Sequence, residues 1–149
     1  MRVRKDSSTA VVVYPIFTQA AYGNGGFYDY YTGQCDTRCL TVKIPSKTYV
    51  GYVSSGMGFL MISSLNFDTL TDVDVDRNPA ILKQYKRVII LHNEYVTKKE
   101  FDAITLHPNV IYLYPNSLYA EVKVNYATNQ TSLVRGHSYP VKSLGNGFG

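Results

Sequence analysis

The 149-residue chain has no tryptophan, two cysteines and three histidines, and only 17% of its residues are charged. Each scarcity excludes something. Without tryptophan, a sugar-stacking platform is a weaker idea. With His92, His107 and His137 scattered and only two cysteines, a structural zinc site is short of ligands. No apolar run approaches the roughly 20 residues that cross a bilayer, which argues against a membrane span. A Lys/Arg block is missing too: the formal charge of +4 owes much to Arg2, Arg4 and Lys5, so nucleic acid is not an expected partner. The start, "MRVRKDSSTA", has a basic flank without the apolar core of a signal peptide. The protein is then either intracellular or shorn of an export signal.

What remains is 45% hydrophobic residues in a chain of single-domain length. The apolar runs alternate strand and helix. "TAVVVYPIF" (9–17), "TLTDVDV" (69–75), "KRVIILH" and "NVIYLYP" (109–115) read as strands, with a further short strand just before Ser54. Ser54 or Ser55 caps one helix, Asn78-Pro79 opens a second, and Thr97-Lys98-Lys99-Glu100 is a capping box for a third. Strand, ten-residue helix, strand means parallel pairs joined by crossovers. The expected fold is therefore α/β, a three-layer sandwich with a mainly parallel sheet and helices on both faces. "YAEVKVNYATNQTSLV" alternates like an antiparallel hairpin near the C-terminus. The α/β domain spans 9–126 with an irregular Tyr/Gly-rich insertion at 18–48. Residues 127–149 read as a C-terminal extension or the cut end of a longer chain.

Cys35 and Cys39 in "CDTRC" stand three residues apart in a loop, which suits a small disulfide-closed turn; free thiols are the alternative. A disulfide, together with the glycosylation pattern Asn129-Gln130-Thr131, favours an extracellular or cell-surface setting over the cytoplasm.

Chemistry is expected beyond the carboxyl ends of the parallel strands. That places Tyr14 and Thr18, then His92-Asn93-Glu94-Tyr95, then Asn116 and Tyr119, at one edge. His92 and Glu94 suit acid–base work, and with Tyr95 they offer N and O donors to a metal. The plainer reading is a well-capped turn with a packed tyrosine. "DVDVDRN" (72–78) fails as a calcium loop because Arg77 and Lys83 occupy its key positions, so its aspartates are expected on a solvated strand face.

"VIILHNEYVTKKEFDAI" followed by "VIYLYPNSLYAEVKV" is similar to the C-terminal region of the N,N-dimethylformamidase large (beta) subunit family. The family's His-Asp-Glu-Tyr-Trp-type motif is matched by His92, Glu94 and Tyr95. Its Asn…Tyr-Trp…Val-type motif is matched by Asn116, Tyr119 and Val122. Asn93, Val96 and Ala120 depart from it. The resemblance covers residues 87 to 125. It implies a flavodoxin- or glutamine-amidotransferase-like fold without a cysteine nucleophile. It further implies a mononuclear non-haem iron held by tyrosines and a glutamate, and divergent archaeal-looking, often secreted relatives. Two functions follow as expectations. One is metal-assisted hydrolysis of a small amide, with Tyr95 on the metal, His92 or Glu94 moving protons and Asn116 orienting substrate. The other is a non-catalytic extracellular domain that binds a protein partner through its Tyr-rich loop. An oligomer is compatible with either.

Overall fold

A computed structural model of the chain describes residues 9–49 and 55–149. In chain order its elements are β1 (Val11–Tyr14), α1 (Ile16–Ala21), α2 (Phe27–Tyr31), β2 (Thr41–Lys43), α3 (Gly56–Ser64), β3 (Asp68–Thr71) and α4 (Asp72–Arg77). Then follow β4 (Val88–Ile90), β5 (Tyr95–Val96), α5 (Lys98–Thr105), β6 (Val110–Tyr112), β7 (Ala120–Asn125) and β8 (Gln130–Arg135). Short 3-10 helices occupy Thr37–Leu40 and Pro79–Gln84.

The first sheet is wholly parallel, in the order β3-β1-β4-β6. Its centre is the β-branched run of β1, where Val11, Val12 and Val13 are all fully buried. A strand buried on both faces needs no alternation, which is why this one reads as a continuous apolar run. Val11 and Val13 pack with Val88, Ile90, Val75 of α4, Leu82 and Ile104 of α5 on one face. Val12, Ile89 and Leu91 meet Ile62 and Phe59 of α3 on the other. The second sheet is mixed, β2-β8-β7-β5, with only the β5–β7 pair parallel. A third cluster joins it to α1 and α2 through Phe17, Phe27, Leu40, Tyr95, Val122 and Leu133.

Several expectations are corrected. The first strand ends at Tyr14, not 17, because Pro15 takes the N-cap position of α1. The segment 69–75 is a strand only to Thr71, whose hydroxyl and the carboxylate of Asp74 form a reciprocal capping box that starts α4. Its aspartates therefore lie on a helix, and Asp72 and Asp76 are buried rather than solvated. Pro79 opens a 3-10 helix, with no side-chain cap from Asn78. At Thr97 only half of the capping box forms: the threonine hydroxyl accepts from Glu100 N at 3.2 Å, while the Glu100 carboxyl is buried without returning to the cap. Ser55 precedes α3 but its hydroxyl accepts from His92 N instead of capping. The strand expected before Ser54, and Ser54 itself, lie outside the described residues.

The stretch 18–48 is not irregular. It supplies most of α1, α2, a 3-10 turn and β2, with Phe27, Leu40 and Ile44 in the core. Residues 92–96 are not all connection, since Tyr95 and Val96 form β5. The β7–β8 hairpin is antiparallel as expected, and its turn contains the 126/127 boundary between the expected domain and extension. Cys35 and Cys39 are bonded to each other.

Candidate functional site

After β4 the backbone leaves the parallel sheet at Leu91, crosses through His92, Asn93 and Glu94, and enters the second sheet at Tyr95. Every stage of that crossing is held. His92 N donates to the Ser55 hydroxyl at 3.1 Å. Asn93 O accepts from Leu118 N, and Glu94 O accepts from Tyr119 N and Ala120 N. Tyr95 N donates to the Thr18 hydroxyl at 3.1 Å. The crossing starts between β1, whose crossover to β3 covers one face with α3, and β4, whose crossover to β6 covers the other with α5, a topological switch point of the kind where α/β sheets open a crevice.

Glu94 is fully buried and is the hub. Its Oε2 accepts from Tyr22 OH at 2.8 Å and from His92 Nε2 at 3.0 Å. Its Oε1 accepts from His137 Nε2 in a very short contact, and Tyr28 OH lies 3.4 Å from it. Burial alone would push this carboxyl up, but hydrogen bonds from His137, His92 and Tyr22 outweigh it and bring it down to about 2. An ionised carboxylate only accepts, so both imidazoles carry a proton on Nε2. Glu94 therefore orients two histidines, as the carboxylate of a catalytic triad orients one.

Phenols close the site. Tyr28 OH donates to Tyr22 OH at 2.7 Å, and the Tyr31 and Tyr95 hydroxyls are 3.2 Å apart. Burial, then the nearby Glu94 charge, pushes the Tyr95 hydroxyl far above the ordinary phenol range; Tyr22 and Tyr31 are raised chiefly by burial as well. Tyr95 packs edge-on against Phe27 at 5.0 Å, and the His137 ring lies 4.6 Å from Tyr119 and 5.6 Å from Tyr95. His137 and Ser138 both hold left-handed backbone, with φ of 51° and 64°. That conformation is uncommon away from glycine and costs about 1–3 kcal/mol per residue, so surrounding contacts must hold the imidazole where it is.

Beneath the hub lies an acid pair. Asp72 accepts from Phe17 N at 2.8 Å and from Asn93 Nδ2 at 2.6 Å, and Glu100 lies fully buried beside it. Burial raises both carboxyls, and the Asp72 charge raises Glu100 further.

Of the residues singled out from sequence, His92, Glu94 and Tyr95 converge here. Thr18 contributes through backbone support, and Tyr119 stacks on His137. Asn116 does not join them: it is exposed in the turn after β6, and its neighbour Ser117 instead bonds Leu91 O at 2.7 Å. Tyr14 points its hydroxyl to Gln19 at 2.6 Å. His107 is structural, with Nε2 on Tyr85 O and Nδ1 on the backbone of Asn109. Sequence reasoning missed His137, Tyr22, Tyr28 and Tyr31. The one available signal was the density of tyrosines at 22–31, which pointed outward to a partner rather than inward.

Among the described residues, no group of three His, Cys, Asp or Glu side chains is arranged to hold a metal. A cleft of about 750 Å³ between Pro79, Leu82, Lys83 and Leu106 takes none of the side chains gathered at Glu94. Chemistry, not volume, locates the site. No known family profile matches the chain, and no curated protein matches it.

Proposed function

We propose that the chain is a dimethylformamidase-like domain whose Glu94 centre performs, or descends from, metal-assisted hydrolysis of an amide C–N bond. The observation that carries this reading is one buried, ionised carboxylate gathered with phenols and two oriented imidazoles at the switch point of a parallel sheet. The strand order supports it: taken in chain order, the parallel strands lie second, first, third, fourth, as in flavodoxin-like sandwiches. The two segments that carry the resemblance also run side by side, with Tyr95 opposite Ala120. Both cysteines are tied in the disulfide, so neither is a nucleophile.

The donor set suits a hard ion such as non-haem iron: Glu94 and Tyr95 would hold it, with Tyr28 or Tyr31 as the second phenol. When bound, such an ion supplies the Lewis acidity that yields hydroxide from water near neutral pH. A cation there also reverses the local electrostatics, so phenols now held protonated by burial would ionise. Glu94, held near 2, is a poor proton carrier at neutral pH and serves to orient. His137 is the better proton mover: its Nε2–H is fixed on Glu94, its Nδ1 has no hydrogen-bond partner among the described residues, and its side chain is 24% exposed. Against the binding-domain alternative, Tyr28, Tyr30 and Tyr31 are partly buried against the core.

The test is elemental analysis of protein purified without chelator, paired with initial rates on a small formamide. Bound iron and turnover are expected, and Tyr95→Phe should empty the metal while leaving far-UV circular dichroism unchanged. Protein that stays metal-free after iron loading and hydrolyses nothing sinks the reading.

A further inference from the structure

The helix α3 is apolar on nearly every side, a pattern that belongs to helices covered all round. Phe59 and Ile62 face the first sheet. Met57, Leu60, Met61 and Leu65 face outward, and Met57, Met61 and Leu65 are 68%, 70% and 64% exposed. Beside α3 runs β6, the edge of the parallel sheet. Register puts Ile111 beside Ile89, on the face that α3 covers, and the alternation of the strand puts Leu113 there too. Both are exposed. The Tyr114 hydroxyl, packed close to Gly58, joins helix and strand into one surface.

The edge itself is open. Asn109 O and Leu113 N bond inward to β4, so the N–H and C=O groups of Val110 and Tyr112 face outward. Natural edge strands are normally guarded by lysine, proline, a bulge or an inward charge. Here Pro108 and Pro115 only flank β6, and residues 108–120 contain no charged side chain, nor do residues 49–67. The opposite edge, β3, does carry Asp68.

We infer that this face is a homodimer interface, formed by antiparallel pairing of β6 with β6 of a second copy. The symmetry argues for a second copy over any other occupant. A two-fold axis perpendicular to the sheet pairs edge strands antiparallel and keeps both α3 helices on the same face. The apolar stripe of one helix then lies beside that of the other, over a continuous eight-strand sheet. The surface is self-complementary because it is neutral: no like charges meet across the axis, and a charged partner would find nothing to pair with. The exposed side chains offer several hundred Å² per copy, which with the paired backbone approaches the roughly 800 Å² per partner of a standard stable interface. Monomers rarely leave so large an apolar patch open.

Size-exclusion chromatography with light scattering on the full chain tests this. The expected mass is twice the 16.7 kDa of the chain at micromolar concentration. Met61→Lys and Leu113→Lys should each halve it with unchanged circular dichroism. Leu106→Lys, at a more exposed leucine beyond the helix α5 that covers the opposite face, should leave the dimer intact. A wild-type monomer at every concentration, which would hand the face to a different protein or to a lipid surface, overturns the inference. So does a dimer that survives both lysine substitutions.

Discussion

The surroundings of the Asn93 side chain explain why an amide is wanted there. Its Nδ2 donates to Asp72 at 2.6 Å, which a carboxylate cannot do. Asn93→Asp would set a third acid against Asp72 and Glu100, all buried. We expect a loss of about 2–3 kcal/mol at pH 7, shrinking towards pH 4 as the added acid takes a proton and regains a donor. Urea unfolding at the two pH values checks this, and an equal loss at both would show that charge is not the cause. His92 and Glu94 were legible from sequence because four polar residues in a row cannot continue a buried aliphatic strand. His137 was not. It lies 43 residues from Glu94 in a turn with no periodicity to read, and only the fold brings the two together. Asn116 stood at the equivalent level of the next strand, yet the Ser117 hydroxyl took the Leu91 carbonyl and left Asn116 outside.

Among the elements, the turn after β8 decides the site more than any strand does. Gly136 has φ of +121°, and a Cβ there would lie 2.7 Å from Ala120 Cβ. Gly136→Ala should therefore cost roughly 2 kcal/mol or more through strain and clash. It should also shift the His137 ring signals in proton NMR, because the next residue carries the imidazole onto Glu94. Unmoved His137 signals in a folded variant would contradict that link. The helices show what local pattern can and cannot say. Thr97 announces α5 correctly, since its hydroxyl does accept from Glu100 N. The Asp72-Asp74-Asp76 alternation misled because period two in three aspartates is indistinguishable from a polar strand face. The Thr71–Asp74 capping box, three residues apart, was the competing signal and it prevailed. The stretch 18–48 looked irregular because its helices are five or six residues long, too short for a 3.6-residue period to register.

For the molecule as a whole, the two acid groups oppose each other in pH. The Glu94 carboxyl falls from its ordinary 4.5 to about 2, so its contribution, roughly 3 kcal/mol, is present above 4.5 and lost as pH falls towards 2. The Asp72–Glu100 pair is raised, so its contribution is full below the ordinary carboxylate range and lost as pH rises through the folded values. Calorimetry across pH should accordingly find maximum stability near about pH 4, with decline on both sides. Glu100→Gln, which cannot ionise, should flatten the neutral limb and leave the acid limb unchanged; a neutral limb that persists would clear the pair of responsibility. The chain by itself pointed to the α/β class, to parallel pairing of its strands and to a turn that Cys35 and Cys39 could close, because each depends on short-range patterns of apolar spacing, caps and loop length. Only the tertiary structure decided that a second sheet receives Tyr95, that the tyrosines of α2 face inward and that His137 completes the Glu94 centre. Those choices rest on which surfaces exclude water together, and that is a property of distant segments packed against one another, written in no local run of residues.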